Sequence, residues 1–155
     1  MQYVPSVRGL IQRVRRAGVI VDGEVVGRIG PGLLVLVGVT HGDDDAVAEK
    51  LGDKIWNIRV FDDLDGKMNR SVADGSGEVW VVSQFTLYGD TRRGRRPGYS
   101  AAAPPELAEP LVERLVARLR SHGATVECGV FGAHMEVDLV NDGPVTLLLE
   151  VPSPG

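Results

Sequence analysis

The apolar run Leu33–Val39 constrains the fold of this chain more than any other segment. Neighbouring side chains of a strand point to opposite faces, so a run without polar residues is typical of a strand that is buried on both faces. Upstream, Asp22-Gly23 precedes the strand-like segment Glu24–Ile29. This dipeptide favours a type I′ turn, so the segment predicts a β-hairpin.

Two helices and several further strands are expected. Apolar residues at helical spacing predict a helix that opens at Asp43-Asp44-Asp45, where the carboxylates cap free N–H groups, and a second helix that ends at Gly123. Pro110 predicts that the second helix kinks or begins at that residue. Other strands are predicted at Leu10–Val14, Val19–Val21, Val60–Phe61, Glu78–Phe85, Thr125–Val130, Glu136–Val140 and Val145–Val151. The mixture predicts an α+β fold with a mostly antiparallel sheet or barrel-like core.

Length and composition favour one domain. The chain has 155 residues, of which 43% are hydrophobic, and residues 1–6 do not join the pattern that follows. We therefore expect a tag or upstream extension at 1–6 and a single domain at 7–152. Neither a signal peptide nor an apolar run of the roughly 18–20 residues that cross a membrane is recognisable. The one cysteine, Cys128, is expected to be buried on a strand and fits a reducing, cytoplasmic setting.

The charge distribution narrows the possible partners. A net charge of −4 argues against a general nucleic-acid binder, so DNA is not an expected partner. Basic residues nevertheless cluster in Arg8–Arg16 and again in Arg92–Arg96. These clusters are equally consistent with a solvated surface and with a protein that grips only the end of an RNA.

The side chains offer little conventional catalytic chemistry. Ser83 and Thr86 are hydroxyls at the end of an apolar strand, but a hydroxyl nucleophile needs a base. His41, His122 and His134 lie in no recognised base motif, so both hydroxyls could equally bond to backbone at the strand end. Three scattered histidines and one cysteine also make no ligand pair at the usual spacing, so no metal is expected.

Two motifs together are more informative than any single residue. Ser83-Gln84-Phe85-Thr86 and the later Asn-x-Gly-Pro-x-Thr motif, which contains Gly143-Pro144, resemble the motifs of the D-aminoacyl-tRNA deacylases. The resemblance extends from Val7 to Val151. Further segments that are similar to this family are Gly9–Val14, Gly32–Gly38, Gly66–Asn69, Asp90–Pro97 and Phe131–Met135.

The resemblance implies an activity and an assembly. Such enzymes hydrolyse the ester between a D-amino acid, or mischarged glycine, and the 3′ end of tRNA, without a metal or organic cofactor. They act as homodimers whose active site lies at the subunit interface. In this chain the catalytic segment would be Ser83, Gln84, Phe85 and Thr86, with the backbone around Phe85 and Thr86 at the ester carbonyl. Whether Thr86 or the 2′-OH of the tRNA drives hydrolysis stays open.

The resemblance also assigns roles outside the catalytic segment. Gly143-Pro144 would be a cis pair in a tight turn that enters the partner's active site and excludes L-amino acids, and Arg13 would steady it. Phe131 and Met135 would line the pocket for the terminal adenine. Without the resemblance, a hairpin turn with no ligand role and packing at a strand end explain the same residues.

Two other classes of function compete with this interpretation. A non-catalytic module of the same fold would bind the RNA end and release no amino acid. A serine or threonine hydrolase would act on small esters, although the sequence shows no histidine–acid pair to support it.

Overall fold

The computed structural model describes residues 5–154 as a six-stranded mixed sheet, a two-stranded hairpin and two α-helices. Short 3₁₀ turns lie at Val72–Asp74 and Phe85–Tyr88. The main elements, numbered in chain order, are β1 Ser6–Val21, β2 Glu24–Ile29, β3 Gly32–Gly38, α1 Asp45–Asn57, β4 Phe61–Asp62, β5 Met68–Arg70, β6 Glu78–Ser83, α2 Pro105–Ser121, β7 Thr125–Cys128 and β8 Glu136–Pro152.

Strand β1 organises the sheet. It pairs with β8 on one side along most of its length, and on the other side with β3 through its first half and β2 through its second half. These pairings are antiparallel, whereas β6 and β7 continue the sheet from β3 in parallel. The predicted α+β class is confirmed. The two short strands predicted at Leu10–Val14 and Val19–Val21 are a single strand, because the residues between them remain paired with the neighbouring strands.

The hairpin between β1 and β2 is confirmed. Asp22 has a φ of 51° and Gly23 a φ of 79°. A type I′ turn requires positive φ at both central residues, which an aspartate tolerates and a glycine adopts freely.

Strand β3 separates two apolar clusters. Leu33, Val35 and Val37 belong to the cluster that contains the apolar faces of α1 and α2. Leu34 lies on the opposite face with Trp80 of β6, in the second cluster. The prediction that this run is buried on both faces is therefore confirmed.

The helix starts follow local capping chemistry. Asp44 caps α1, because its Oδ1 accepts a hydrogen bond of 3.0 Å from the Val47 N–H. Asp43 instead accepts the Thr40 N–H at 2.8 Å, and its burial raises the pKa of that carboxyl. Helix α2 begins at Pro105 and continues through Pro110, so a start at Pro110 is wrong. No helix within residues 5–154 is long and apolar enough to cross a membrane.

Strand β8 replaces two predicted strands and the turn between them. Its register against β1 pairs Thr146 with Gln12 and Asn141 with Val14. Residues 142–145 of β8 therefore lie opposite Arg13 alone, and we call this outward excursion the bulge. The prediction of a tight turn was wrong because β1 keeps both flanks of the excursion paired to one strand.

The start of the chain also differs from expectation. Ser6 is the first residue of β1, is buried and pairs with Pro152, and the Pro5 carbonyl accepts the Ser153 N–H at 2.9 Å. The expected extension 1–6 therefore overlaps the fold at its last two residues. Residues 1–4 lie outside the described residues, and their interpretation as a tag stays a prediction.

Candidate active site

The segment Ser83–Thr86 leaves the sheet at the end of β6. The strand stops at Ser83 rather than Phe85, because a 3₁₀ turn begins at Phe85; the Gln84 N–H still donates to the Val37 carbonyl of β3 at 2.7 Å. The first N–H groups of a helical turn have no partner within it. Within residues 5–154, the N–H groups of Phe85 and Thr86 donate to no other group. Two backbone donors therefore stand side by side and free.

The hydroxyl of Thr86 is engaged by a neighbour. Gln84 Nε2 donates a hydrogen bond to Thr86 Oγ1, and the side chain of Thr86 is exposed. The Thr86 carbonyl accepts the Gly89 N–H at 2.9 Å, which closes the turn. An exposed hydroxyl held by an amide has no base beside it, and this arrangement does not favour a threonine nucleophile.

A large cavity of about 600 Å³ adjoins this segment. Five of the predicted site residues line it, namely Ser83, Gln84, Phe85, Phe131 and Met135. Two further features of its wall are the rings of Tyr99 and Phe85, which form an edge-to-face pair with centroids 5.1 Å apart and are both partly exposed to solvent. The structure thus brings the two motif-derived groups, the strand end and residues 131–135, to one apolar cavity.

One histidine near this cavity was not predicted to be there. His134 lines the cavity, and it makes no hydrogen bond or ion pair with another described residue. His41 is held by the Ser100 carbonyl at 2.9 Å, and His122 lies 2.6 Å from Asp53. No histidine–carboxylate pair therefore faces Ser83 or Thr86 within the part of the chain that the structure describes. The signal that could have found His134 is its place in the segment Phe131–Met135, whose two end residues were predicted to line a pocket.

A small cavity of about 320 Å³ shares a wall with the large one. Ser83, Phe131 and Met135 line both, and α2 contributes the far side of the small cavity. Cys128 also lines it and is exposed, so its predicted burial was wrong. A Cβ at Gly129 would lie 2.6 Å from the Met135 sulfur, so a larger residue there would displace the flexible end of the Met135 side chain.

Arg8, a member of the first basic cluster, contacts the 3₁₀ turn that follows Gln84. Its Nη1 donates to the Leu87 carbonyl at 2.8 Å, and its guanidinium lies 4.5 Å from the centroid of the Tyr88 ring. The same side chain bonds Glu150 of β8 at 3.1 Å. Arg8 therefore ties the 3₁₀ turn to the sheet.

The remaining predicted site residues form a second group at the bulge. Arg13 is buried, and its Nε donates to the Asp142 carbonyl at 3.0 Å. The peptide bond between Gly143 and Pro144 is cis, as the resemblance implied. Gly143 has a φ of 128°, and a Cβ there would lie 2.9 Å from Arg13 Nη2. Glycine is therefore required by both backbone conformation and space.

The other residues of the second motif close the base of the bulge. Asn141 Nδ2 donates to the Arg13 carbonyl at 2.8 Å and to the Val145 carbonyl at 3.0 Å. Thr146 donates to Asn141 Oδ1 at 3.2 Å and accepts from Gln12 Nε2 at 3.3 Å. Asn141 and Thr146 were part of the motif, but the sequence did not show that their side chains join the two ends of the bulge by hydrogen bonds.

Within one chain, the predicted site residues at the large cavity and those at the bulge form separate groups. Neither cavity is lined by Arg13, Gly143 or Pro144. Within residues 5–154, no hydrogen bond or ion pair joins these three residues to a residue of the large cavity. One chain therefore holds an open apolar cavity and, apart from it, a rigid polar bulge.

The loop between the 3₁₀ turn and α2 carries the second basic cluster. Arg92 bonds both carboxylate oxygens of Asp90, at 2.9 and 2.8 Å, which holds the pKa of that carboxyl far below its ordinary value. Arg93, Arg95 and Arg96 are exposed, and Tyr99 beyond them lines the large cavity. The same loop therefore carries these exposed arginines and part of the cavity wall, although the chain as a whole is acidic. Among the described residues, no group of three or more histidine, cysteine, aspartate or glutamate side chains could hold a metal ion.

Comparison with known proteins identifies the family. The model described as D-Tyr-tRNA(Tyr) deacylase matches residues 10–150. A protein of Nocardia farcinica named D-aminoacyl-tRNA deacylase is 63% identical over 146 residues, which cover 92% of this chain and 99% of the relative. The chain therefore belongs to the D-Tyr-tRNA(Tyr) deacylase family, which is a family of hydrolases. The family and the enzyme class predicted from the sequence are confirmed.

Solved structures agree with this fold. A structure named "c-Myc DNA Unwinding Element Binding Protein" aligns with a TM-score of 0.87 at 40% identity, covering 94% of this chain and 99% of the other. A structure described as a probable eukaryotic D-amino acid tRNA deacylase aligns with a TM-score of 0.80 at 15% identity, covering 94% of this chain and all of the other. The second shares the fold, which confirms the predicted architecture.

Proposed function

We propose that this chain hydrolyses the ester bond of D-aminoacyl-tRNA and releases the free D-amino acid and tRNA. The observation that carries the proposal is the large cavity beside the two free N–H groups of Phe85 and Thr86. An aminoacyl ester is already activated, so it needs orientation and donors at the carbonyl oxygen more than it needs a strong nucleophile. The site offers both, and the relatives bear the name of this reaction.

The ester carbonyl would lie against the start of the 3₁₀ turn. The Phe85 and Thr86 N–H groups would donate to the oxygen that becomes negative in the transition state. Attack by water leaves a tetrahedral intermediate, and its collapse expels the ribose oxygen of the tRNA. The vicinal 2′-OH of the terminal ribose would orient the attacking water, with Thr86 beside the scissile bond. Among the described residues, Thr86 Oγ1 is bonded by the Gln84 amide and by no histidine or carboxylate, which supports this choice over a threonine nucleophile.

The terminal adenine would bind against Phe131 and Met135. An aromatic ring and a flexible thioether offer stacking surface to any base. Both side chains line the large cavity together with Ser83, Gln84 and Phe85. The exposed arginines of the loop before α2 would face the phosphates of the RNA end.

Discrimination between enantiomers would come from the bulge of a second subunit. We infer a homodimer in which Gly143 and Pro144 of one subunit enter the large cavity of the other, so that the active site lies at the interface. In support, the bulge interrupts the register of β8, which pairs with no strand other than β1 among residues 5–154, and Leu147 and Leu148 beside it are exposed. Backbone carbonyls there would block an L side chain and admit a D side chain or the hydrogen of glycine, including mischarged glycyl-tRNA.

Two incubations test the reaction. D-tyrosyl-tRNA should lose its amino acid rapidly, and L-tyrosyl-tRNA should not. Release of neither amino acid by a protein that still binds the tRNA would contradict hydrolysis and favour the RNA-binding module. Equal release of both would contradict chiral selection while leaving hydrolysis intact. Sedimentation at assay concentration checks the dimer, because a fully active monomer would contradict the shared site.

Nucleic-acid binding without hydrolysis is the second candidate. It is favoured by the exposed arginines and by the 40% identical structure, whose name refers to a DNA element. The net charge of −4 and the apolar lining of the cavity favour the end of a tRNA over duplex DNA. Competition between tRNA and duplex DNA at a fixed salt concentration distinguishes the two. We expect the reaction to need no cofactor and to take place in the cytoplasm, where tRNA is used.

A further inference from the structure

The guanidinium of Arg13 is held from two directions. On one side its Nε donates to the Asp142 carbonyl in the bulge at 3.0 Å. On the other side its Nη1 donates to the Val60 carbonyl at 2.9 Å and to Asp62 Oδ1 at 3.3 Å. Val60 immediately precedes β4, and Asp62 lies in it. The hairpin of β4 and β5 is therefore joined to the bulge through one buried cation.

A buried cation needs a counter-charge, and two carboxylates are within reach. Asp62 Oδ1 lies 3.3 Å from Arg13 Nη1, whereas Asp142 Oδ2 lies 3.7 Å from Arg13 Nε. The carboxylate of Asp142 is also shared with Arg15, whose Nη2 lies 3.7 Å from Oδ1. Asp62 therefore provides the closer carboxylate, and it directs the Nη1 edge of the planar guanidinium toward the hairpin.

Fixing one edge of a planar group fixes the others. With Nη1 bound to the hairpin, Nε faces the Asp142 carbonyl and Nη2 lies against Gly143, 2.9 Å from the place of a Cβ. Without Asp62, the Val60 carbonyl would be the remaining acceptor for Nη1 among the described residues, and the guanidinium, left with Asp142 as its nearest carboxylate, would turn toward that carboxylate and release the carbonyl of the same residue. The bulge would then lose the donor that sets the direction of its backbone.

We propose that Asp62, together with the Val60 carbonyl, is a positioning residue for substrate handedness, because it orients Arg13 and through Arg13 the bulge. The inference rests on the proposed function, since the bulge must be the element that selects the enantiomer. Asp62 acts through another residue and touches no reacting atom in this scheme. The substrate class it would affect is the aminoacyl-tRNA ester, through the configuration at its α-carbon.

Asp62 is suited to a test because its loss leaves the core intact. Its side chain is 53% exposed, so its removal creates no cavity, and exposed ion pairs contribute little to stability. If Asp62 had a purely structural role, its removal would therefore change the stability of the protein very little and leave the ratio of D to L rates unchanged. A positioning role would appear in the ratio of the hydrolysis rates for D and L substrates.

The matched control lies in the same hairpin. Asp65 is also an exposed aspartate, and its side chain makes no hydrogen bond or ion pair with another described residue. Asp62→Ala should lower the ratio of D to L rates by about tenfold, as expected for one charge-assisted hydrogen bond. Asp62→Asn keeps an oxygen acceptor and should recover part of the ratio, and Asp65→Ala should match the wild type.

A second measurement reports directly on the hydrogen bond between Arg13 and the bulge. Hydrogen exchange of the Arg13 Nε–H, measured by NMR, should be faster in Asp62→Ala than in the wild type and in Asp65→Ala. Faster exchange with a lower ratio supports the proposal. Unchanged exchange, or an unchanged ratio in an enzyme that discriminates, overturns it. If the wild type hydrolyses both enantiomers equally, chiral selection is overturned, and this inference is overturned with it. The wild-type rates therefore distinguish a failure of the proposed function from a failure of the role proposed for Asp62.

Discussion

The large cavity and the bulge hold their polar groups in opposite ways. At the cavity, the N–H groups of Phe85 and Thr86 have no partner within the described chain, and the side chain of Phe85 is 56% exposed. At the bulge, Arg13 is 9% exposed, and Asn141 bonds two backbone carbonyls at once.

This difference separates two tasks. A surface that binds a ligand must leave donors and apolar area for it, whereas a surface that selects by shape must be rigid before the ligand arrives. The cavity therefore fits binding and chemistry, and the bulge fits a fixed template. Substitutions at the bulge should change which enantiomer reacts, and substitutions at the cavity should change how well any ester reacts.

The largest effect is expected from Gly143→Ala. The methyl group would lie 2.9 Å from both Arg13 Nη2 and Val145 Cγ2, at a φ of 128° that suits only glycine. Strain and overpacking together should cost about 3 kcal/mol of stability. A displaced bulge should lower the ratio of D to L rates by about a hundredfold. The matched control is Gly98→Ala, since a Cβ at Gly98 meets nothing within 4 Å. Equal rates for both variants would show that the bulge is not a template.

The second-largest effect is expected from Arg13→Ala. Its removal leaves the Asp142 and Val60 carbonyls without their donor, which should cost about 2 kcal/mol of stability and reduce the ratio of D to L rates by about thirtyfold. Arg16→Ala is the control, because Arg16 lies on the same strand, its side chain is 60% exposed, and it pairs with Asp138, which lies outside the bulge. Unaltered rates for both substrates in a folded Arg13→Ala dimer would remove Arg13 from the selective element.

Phe131→Leu tests the cavity. Leucine preserves most of the apolar volume but removes the ring face, so the loss of base stacking should raise KM by about tenfold with the ratio of D to L rates unchanged. Phe131→Tyr keeps the ring and should behave like the wild type. A change in the ratio with unchanged KM would contradict the division of labour between cavity and bulge.

Thr86→Ala should have a smaller effect. The free N–H groups of Phe85 and Thr86 survive the substitution, so kcat should fall by less than about tenfold, whereas removal of a true nucleophile costs several orders of magnitude. Single-turnover hydrolysis of D-tyrosyl-tRNA measures this directly. The companion substrate has hydrogen in place of the terminal 2′-OH. If that substrate reacts normally and Thr86→Ala is inactive, Thr86 is the nucleophile.

The sequence predicted local elements better than long-range geometry. The hairpin at Asp22-Gly23 and the buried run Leu33–Val39 were confirmed because each follows from turn chemistry or side-chain alternation within a few residues. Strand β8 was predicted as two strands, because only its pairing with β1, more than a hundred residues away, keeps it continuous.

For the candidate site, too, the sequence predicted local features better than contacts between distant segments. The two motifs led to residues of both groups, but not to their separation, since no spacing rule places Arg13 against a carbonyl of the residue that precedes β4. Cys128 was expected to be buried because cysteine usually is. It is exposed at the small cavity instead, because β7 lies at the end of the sheet order.

The smallest effect is expected at the contact between α1 and α2, which belongs to neither region. Arg118 bonds both oxygens of Asp53, at 2.8 and 3.2 Å, and His122 Nε2 lies 2.6 Å from Oδ1. The hydrogen bonds from Arg118, and to a smaller extent the bond from His122, lower the pKa of the Asp53 carboxyl below its ordinary value of 3.8. A lowered folded-state pKa stabilises the fold above the ordinary value, and this stabilisation is lost as the pH falls through the folded-state pKa.

Asp53→Asn should therefore be less stable than the wild type at pH 7, by at most about 1 kcal/mol because the pair is partly exposed. The difference should shrink toward zero as the pH falls below the ordinary aspartate pKa. Denaturant unfolding at several pH values measures it. Both hydrolysis rates at pH 7 should equal those of the wild type, because the contact reaches neither the large cavity nor the bulge. A difference in stability that stays constant down to pH 3 would show that shape, and not charge, holds the helices together here. A change in the ratio of D to L rates would show that the bulge is not an independent template, because a distant helix contact would then set its position.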